Sequence, residues 1–122
     1  MQEQRQTVRV DAKVDVSLRA DPRGPAQKVL SSRALHAQGI QLLLPNRLPL
    51  NQRVELEIYL PAQAGPLKAV GEVSWVEHIG DVYEGYYQVG IRFLELADSA
   101  RQVIEELIRA ELAKLKPLPS EG

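Results

Sequence analysis

Two pairs of arginines with the same spacing are the residues best suited to ligand binding. Arg5 and Arg9 precede the first alternating segment, and Arg19 and Arg23 flank a turn region that contains Pro and Gly. A guanidinium is a planar, always charged set of donors that binds phosphate oxygens in bidentate fashion and stacks on purine rings. The spacing alone is a weak signal, because the chain contains ten arginines, and a mobile charged terminus remains the alternative interpretation.

Residues suited to catalysis or metal binding are few. The chain has no cysteine, which excludes a thiolate nucleophile, a disulfide framework and a Cys-ligated metal. Its two histidines are His36 and His78; His78 stands near Asp81 and Glu84, where a solvated loop end is the alternative to a His and carboxylate cluster. No nucleophile elbow or glycine-rich phosphate loop is present. We therefore expect a protein that is not an enzyme and that has no metal or resident cofactor.

Length and charge favour one ordinary domain. The chain has 122 residues, 44% hydrophobic content and a net charge of -1, so a broad basic surface for duplex DNA is not expected. No apolar run approaches the roughly 20 residues of a membrane helix, and the polar start lacks a signal-peptide pattern. We expect a cytoplasmic protein with a single domain over residues 1–116 and a disordered tail over residues 117–122.

Alternation of apolar and polar residues predicts about six strands. In the segment 53–61 every even position is apolar, which is typical of a strand with one buried face. Trp75, which lies within an apolar segment, is expected to belong to the core. The predicted strands cover the segments 13–19, 28–35, 40–44, 53–61, 67–79 and a last one with Tyr87, Val89, Ile91 and Phe93 on one face.

Helical spacing of apolar residues begins after the last predicted strand. We expect a helix that starts at Asp98 or Ser99 and ends before Pro117. Short connections favour antiparallel pairing, and curling removes free strand edges. The sequence thus predicts a mostly β fold, a six-stranded antiparallel barrel with a C-terminal helix. Leu112 and Leu115 of this helix could contact a second copy in a homodimer; packing on the barrel is the alternative.

The order of these features resembles the PilZ domain, a bacterial receptor module for cyclic di-GMP, over roughly residues 3–112. Arg5 and Arg9 match the family's Arg-xxx-Arg motif, whose arginines bind the ligand's phosphates and guanine faces. The resemblance implies a six-stranded antiparallel barrel with a C-terminal helix. Beyond the arginines it depends on the segments 39–45 (GIQLLLP), 71–76 (GEVSWV) and 89–96 (VGIRFLEL).

The family's second ligand motif, Asp/Asn-x-Ser-x-x-Gly, is degenerate in this chain. With its glycine on Gly39, the serine position is His36 and the acid position is Ala34. In the family the acid accepts hydrogen bonds from guanine N–H groups, and Ala34 has no side-chain acceptor. His36 is bulkier than serine and has one ring acceptor when neutral. Arg33 could add a third cation, although an outward strand residue is the alternative.

Three functions follow as hypotheses. The leading one is a PilZ-type signalling adaptor of the cyclic di-GMP pathway, with weakened or lost nucleotide binding. It would contact a protein of motility, adhesion or secretion machinery, and Tyr83 and Tyr86 are candidate contact residues. The second is a functional cyclic di-GMP receptor that uses Arg5, Arg9 and His36. The third, a single-strand nucleic-acid barrel of the OB type, is disfavoured by the net charge and the low aromatic content.

Overall fold

The computed structural model describes residues 14–21, 23–61, 63–80 and 85–114. These residues form six strands followed by one helix, which confirms the predicted order of elements. Each strand is a run of alternating residues, and the helix begins where the period changes. The elements are β1 (Asp15–Arg19), β2 (Ser31–His36), β3 (Gly39–Leu44), β4 (Arg53–Tyr59), β5 (Leu67–Ile79), β6 (Tyr86–Leu96) and α1 (Asp98–Lys114).

The six strands form one antiparallel sheet in the order β1-β4-β5-β6-β3-β2. The sheet curls into a half-barrel, so that its edge strands β1 and β2 approach each other. Across this seam the Gln27 amide donates to the Leu18 carbonyl at 2.7 Å, and the Ser32 hydroxyl donates to the Val14 carbonyl at 2.5 Å. The mostly β fold class predicted from the sequence, six antiparallel strands with a C-terminal helix, is confirmed.

The core lies on the concave side of the sheet and follows the predicted alternation. Ile104 of α1 is fully buried and belongs to the same hydrophobic cluster, so the helix packs on the sheet through this residue and Ala100. Burying such aliphatic side chains contributes about 1.5–3 kcal/mol each. The fully buried strand residues include Leu18, Leu42, Leu56, Ile58, Val73 and Val89.

The prediction that Trp75 belongs to the core is wrong. Trp75 is 37% exposed, whereas Val73 is fully buried and Val76 is packed against the core. The register of β5 against β6 shifts between Val73 and Trp75, which is a β-bulge. A bulge inserts one residue, so the apolar residues on either side of it keep facing the core while the residue within it turns outward.

Strand β2 also departs from the predicted boundaries. It begins at Ser31, not at Lys28, and it contains a register shift between Arg33 and His36. Leu30 still donates its amide to the Leu43 carbonyl at 2.8 Å. Within the described ranges, no helix is long and apolar enough to cross a membrane. The proposed tail, residues 117–122, lies outside those ranges.

Candidate functional site

The degenerate motif lies beside a cavity of about 230 Å³ on the outer face of strands β2, β3, β6 and β5. His36 and Gly39 contribute to its wall, so the structure brings two of the predicted site residues to one place. The order of the strands in the sheet explains this, because β3 pairs with both β2 and β6, and β6 pairs with β5. The lining residues are His36, Gln38, Gly39, Ile40, Gln41, Ser74, Trp75, Gly90, Ile91 and Arg92.

One lateral row of paired residues crosses this face of the sheet. His36 is opposite Gly39, Gly39 is opposite Arg92, and Arg92 is opposite Glu72. Directly opposite residues of antiparallel strands share a face of the sheet. The Arg92 guanidinium donates to the Glu72 carboxylate in an ion pair whose arginine is well exposed. The Arg92 guanidinium therefore places a positive charge at the cavity, and the Glu72 carboxylate on the neighbouring strand pairs with it.

The indole of Trp75 forms a second wall of the cavity and lies over Gly90. A Cβ atom at Gly90 would come within 2.0 Å of the indole Nε1, so the position accommodates the ring only as glycine. An exposed indole is a flat surface on which a purine can stack. Sequence analysis missed Trp75 as a site residue. The signal was present, because inward residues Val73 and Val76 at a spacing of three break the strand period of two.

Gly39 is required by packing between β3 and β6. An added Cβ atom would lie 2.3 Å from the Ile91 carbonyl oxygen, a backbone atom. Gly39 does not have a positive φ; among the described glycines, Gly80 has that conformation. The presence of glycine at this position of the motif therefore has a structural cause that is independent of any ligand.

The turn between β2 and β3 is held by three hydrogen bonds. The Gln38 amide donates to Nδ1 of His36 at 3.1 Å, so the acceptor of the neutral imidazole is occupied by the turn. The Phe93 amide donates to the Gln38 carbonyl at 2.8 Å. The Arg101 guanidinium of α1 donates to the Ala37 carbonyl at 2.8 Å. Both the neighbouring strand and the helix thus fix the turn beside the cavity.

Ala34 occupies the motif's acid position in an unusual backbone conformation. Its φ is 56°, in the left-handed region, and it is 3% exposed. Asn and Asp adopt this region several times more readily than other residues with a Cβ. The local backbone of β2 therefore suits the residue types that the family motif has at this position, although the chain has alanine there.

Other polar side chains around the cavity also make hydrogen bonds within the protein. The Gln88 amide donates to Oε1 of Gln41 at 3.4 Å, and the Ser74 hydroxyl donates to the Gly90 carbonyl at 3.1 Å. Of the described residues that line the cavity, none is Asp or Glu. The cavity therefore combines an aromatic wall and a guanidinium with polar side chains that are hydrogen-bonded within the protein.

The remaining predicted site residues are not all brought to the cavity. Arg33 is exposed on β2 opposite Gln41, which lines the cavity, but Arg33 itself is not part of the lining. Arg5 and Arg9 lie outside the described residues. Val14, the first residue described, is bound through its carbonyl by Ser32, two residues before Ala34. The chain that leads from the Arg-xxx-Arg segment thus enters the fold beside β2.

A larger groove, of about 410 Å³, lies on β1, β4, β5 and the end of β6. Its charged lining includes Glu55, Glu57 and Glu95 together with Lys68 and Arg19. Arg19 of the second arginine pair borders this groove, whereas none of the described positions aligned to the family's second ligand motif, Ala34, His36 and Gly39, does. We assign the candidate site to the smaller cavity, because that cavity borders the motif, the exposed indole and a cation.

The second histidine does not form a metal centre within the described part of the chain. The imidazole of His78 packs against the ring of Tyr87, with ring centroids 5.1 Å apart. Asp81 and Glu84, its proposed carboxylate neighbours, lie outside the described residues. Among the residues that are described, no three of His, Cys, Asp or Glu are grouped so as to hold a metal ion.

Comparison with known protein families gives a match over nearly the whole sequence. The PilZ domain matches residues 3–110. The chain belongs to the PilZ domain family. No curated protein was found to be similar to it.

Solved structures with the same fold include three PilZ proteins. The inhibitor of motility MotI/DgrA of Bacillus subtilis superposes with a TM-score of 0.74 at 18% identity, over 94% of this chain and 54% of that one. The PilZ domain of YcgR from Escherichia coli with c-di-GMP gives 0.67 at 14% identity, over 93% and 95%. The K. pneumonia MrkH-c-di-GMP complex gives 0.68 at 18% identity, over 93% and 55%. The chain spans about half the length of MotI and MrkH.

Proposed function

We propose that the chain is a cytoplasmic PilZ signalling domain that acts through contact with a partner protein and whose cyclic di-GMP binding is weakened or lost. The observation on which this depends is the replacement of the motif's acid and serine by Ala34 and His36. The role is that of an adaptor, not of an enzyme. YcgR and MrkH were solved with c-di-GMP, so their sites are the reference for what this cavity lacks.

The expected weakening can be estimated from the two lost contacts. A hydrogen bond to a charged group contributes about 1.5–3 kcal/mol, and a neutral one about 0.5–1.5 kcal/mol. Losing both weakens binding by roughly 2–4.5 kcal/mol, which is a factor of about 30 to 2,000 in affinity. His36 cannot restore the loss as an acceptor, because its Nδ1 accepts from the Gln38 amide.

Several features of a nucleotide site remain. Arg92 provides a cation, Trp75 an exposed ring, and Gly39 the close approach of β3 and β6. Arg9 precedes Val14 by five residues, and an extended chain of that length spans at most about 18 Å. Because Val14 is bound to β2 by Ser32, the Arg-xxx-Arg segment is within reach of the cavity. This supports weakened binding more than a complete loss.

The end of the β5–β6 hairpin offers a surface for the partner. Ile79 and Tyr86 are paired across these strands and are 39% and 45% exposed. Exposed tyrosines commonly anchor protein interfaces, since they bury a large ring and retain a hydroxyl. Tyr83, the other proposed contact residue, lies outside the described residues. The partner proposed from the family resemblance is a component of motility, adhesion or secretion machinery.

Calorimetric titration of the full chain with cyclic di-GMP tests this proposal. We expect a dissociation constant well above the micromolar range, or no measurable heat. The matched variant is the double substitution Arg5→Ala/Arg9→Ala, which should remove any residual binding, because it removes the phosphate contacts. Micromolar or tighter binding that the double substitution abolishes would contradict the proposal and support the second function, a true receptor.

A further inference from the structure

The second half of β5 has a backbone edge that no described strand covers. β4 pairs with β5 as far as Glu72, and the loop before β4 adds two backbone hydrogen bonds to Val73. Beyond Val73, β5 continues to Ile79, and among the described residues it is paired there on the β6 side alone. Residues 75–79 therefore form a free edge, and an unpaired edge of this kind is a template for an added strand.

We infer that this free edge binds an extended segment of the partner protein in which a basic residue lies between two apolar residues at alternate positions. The inference rests on the proposed adaptor function and specifies the chemistry of the partner at the β5–β6 hairpin. An added strand gains affinity from main-chain hydrogen bonds, and its specificity comes from the side chains at every second position. The residues of β5 that face outward therefore determine which segment binds.

Three residues of the free edge share the outer face of the sheet. Trp75 and Ile79 are 37% and 39% exposed, and Glu77 lies between them and is also exposed. Glu77 is opposite Gln88, whose side-chain amide donates to Gln41 in the lining of the outer cavity. The alternate side chains of an added strand would thus lie beside an indole, a carboxylate and an aliphatic side chain.

The carboxylate of Glu77 determines which central residue the added segment requires. Glu77 makes no ion pair within the described part of the chain. Residues 74–89 also include Asp81 and Glu84 and contain no lysine or arginine, so the hairpin sequence is acidic. Opposite charges on directly opposed residues stabilise a strand pair, and like charges destabilise it. An arginine or lysine opposite Glu77 is therefore favoured, with apolar residues on either side of it.

A second copy of this chain fits the free edge less well. Antiparallel pairing of two such edges about a two-fold axis at their centre would place Trp75 of one copy opposite Ile79 of the other. The same register places the two Glu77 carboxylates directly opposite each other, which is unfavourable. A charge on an exposed edge is a common device against self-association of strands. The residue that favours a basic partner segment thus opposes a dimer through this edge.

The test is a titration of the full chain with a capped peptide, Thr-Ile-Thr-Arg-Thr-Ile-Thr, followed by amide NMR. The matched peptide has glutamate in place of arginine. We expect saturable shifts and slower amide exchange at residues 75–79, and about 3- to 10-fold weaker binding of the glutamate peptide. Absence of binding, equal binding of both peptides, or shifts confined to β1 and β4 would overturn the inference. Shifts at the free edge that depend on protein concentration without peptide would mean that a second copy binds there, and would overturn it too.

A charge reversal tests the role of Glu77. In Glu77→Lys the glutamate peptide should bind about 3- to 10-fold more tightly than the arginine peptide. The matched control is Glu55→Lys, the same change at an exposed position of β4, and it should keep the preference of the unaltered chain. Should Glu77→Lys fail to fold, Glu77→Gln removes the charge alone and should bring the two constants within about twofold. An unchanged preference for the arginine peptide in either Glu77 variant would contradict the inference.

The outcomes separate this inference from the proposed function. If neither peptide binds and cyclic di-GMP binds weakly or not at all, the inference is wrong and the adaptor function stands, with its partner contact elsewhere. If the arginine peptide binds as expected and cyclic di-GMP binds at micromolar concentration through Arg5 and Arg9, the inference stands and the adaptor with weakened nucleotide binding is wrong.

Discussion

At the scale of single residues, the backbone at Ala34 has a consequence for stability. A left-handed conformation costs an L-residue with a Cβ about 1–2 kcal/mol relative to the right-handed region, and glycine avoids this strain. Ala34 has a φ of 56°, whereas Ala69, another buried alanine in a strand, has no positive φ. Each Ala→Gly substitution removes one buried methyl group from a strand, so the difference between them reports the strain.

We predict that Ala34→Gly changes the free energy of unfolding by less than about 1 kcal/mol, because relief of strain offsets the lost methyl and the added chain entropy. Ala69→Gly should destabilise the protein by about 1–2 kcal/mol. Urea unfolding followed by the fluorescence of the single tryptophan measures both. Equal destabilisation by the two substitutions would mean that position 34 is not strained.

The same residues show which features of the candidate site could be predicted from the sequence and which could not. Gly39, His36 and Ala34 could be aligned to the motif, because the spacing is a property of the sequence. That Nδ1 of His36 accepts from the turn, and that Trp75 faces outward over Gly90, depends on contacts between strands far apart in the chain. The sequence pattern assigned Trp75 to the core, because a β-bulge cannot be recognised from the pattern of apolar and polar residues alone.

At the scale of elements, the C-terminal helix is connected to the candidate site. Arg101 reaches from α1 to the Ala37 carbonyl in the β2–β3 turn, and Ile104 of the same helix is in the core. The helix is therefore anchored through its first turns, whereas Leu112 near its far end is 45% exposed. The helix and its apolar residues were predicted by period, whereas the Arg101 contact joins residues 64 apart and has no local signal.

We predict that Arg101→Met destabilises the protein by about 1–2 kcal/mol, since a half-buried carbonyl loses a charged donor. Methionine keeps the aliphatic length of the side chain, so packing is largely retained. Amide NMR spectra should show the largest shifts at Ala37 and Gln38. Arg109→Met, an exposed position on the same helix, is the control and should change stability by less than about 0.5 kcal/mol. Equal effects of both substitutions would exclude the contact as the cause.

At the scale of the whole molecule, the fold class, strand number and terminal helix were all predictable from period and turn residues. These signals are local, and antiparallel pairing follows from short connections. The strand order and the three register shifts in β2 and β5 were not predictable from alternation, because they depend on which strands pair when the sheet curls. The family resemblance implied the barrel as a whole, and the structure adds that its two edge strands meet at a seam bridged by single hydrogen bonds.

This seam is where we expect the molecule to open first. β1 is an edge strand, and its far side is joined to β2 by the Val14–Ser32 hydrogen bond and to the segment before β2 by the Leu18–Gln27 hydrogen bond. By contrast, the central parts of β5 and β6 are paired on both sides. Regions with few protected backbone groups open with lower free energy than the rest of the fold. Amides of β1 should therefore exchange with solvent faster than those in the central parts of β5 and β6.

The substitution Ser32→Ala should lower the protection of β1 further, by a factor of about 5 to 10, because it removes one hydrogen bond worth about 1 kcal/mol from the seam. β3 and β6 should keep their exchange rates. Ser31→Ala, at the exposed neighbouring position, is the control and should leave the exchange rates of β1 unchanged.

Since the Arg-xxx-Arg segment precedes Val14 in the chain, a looser seam should also weaken any residual dinucleotide binding by a similar factor. Unchanged exchange in β1 after Ser32→Ala would show that other contacts hold the seam and that the Val14 anchor does not position the arginines.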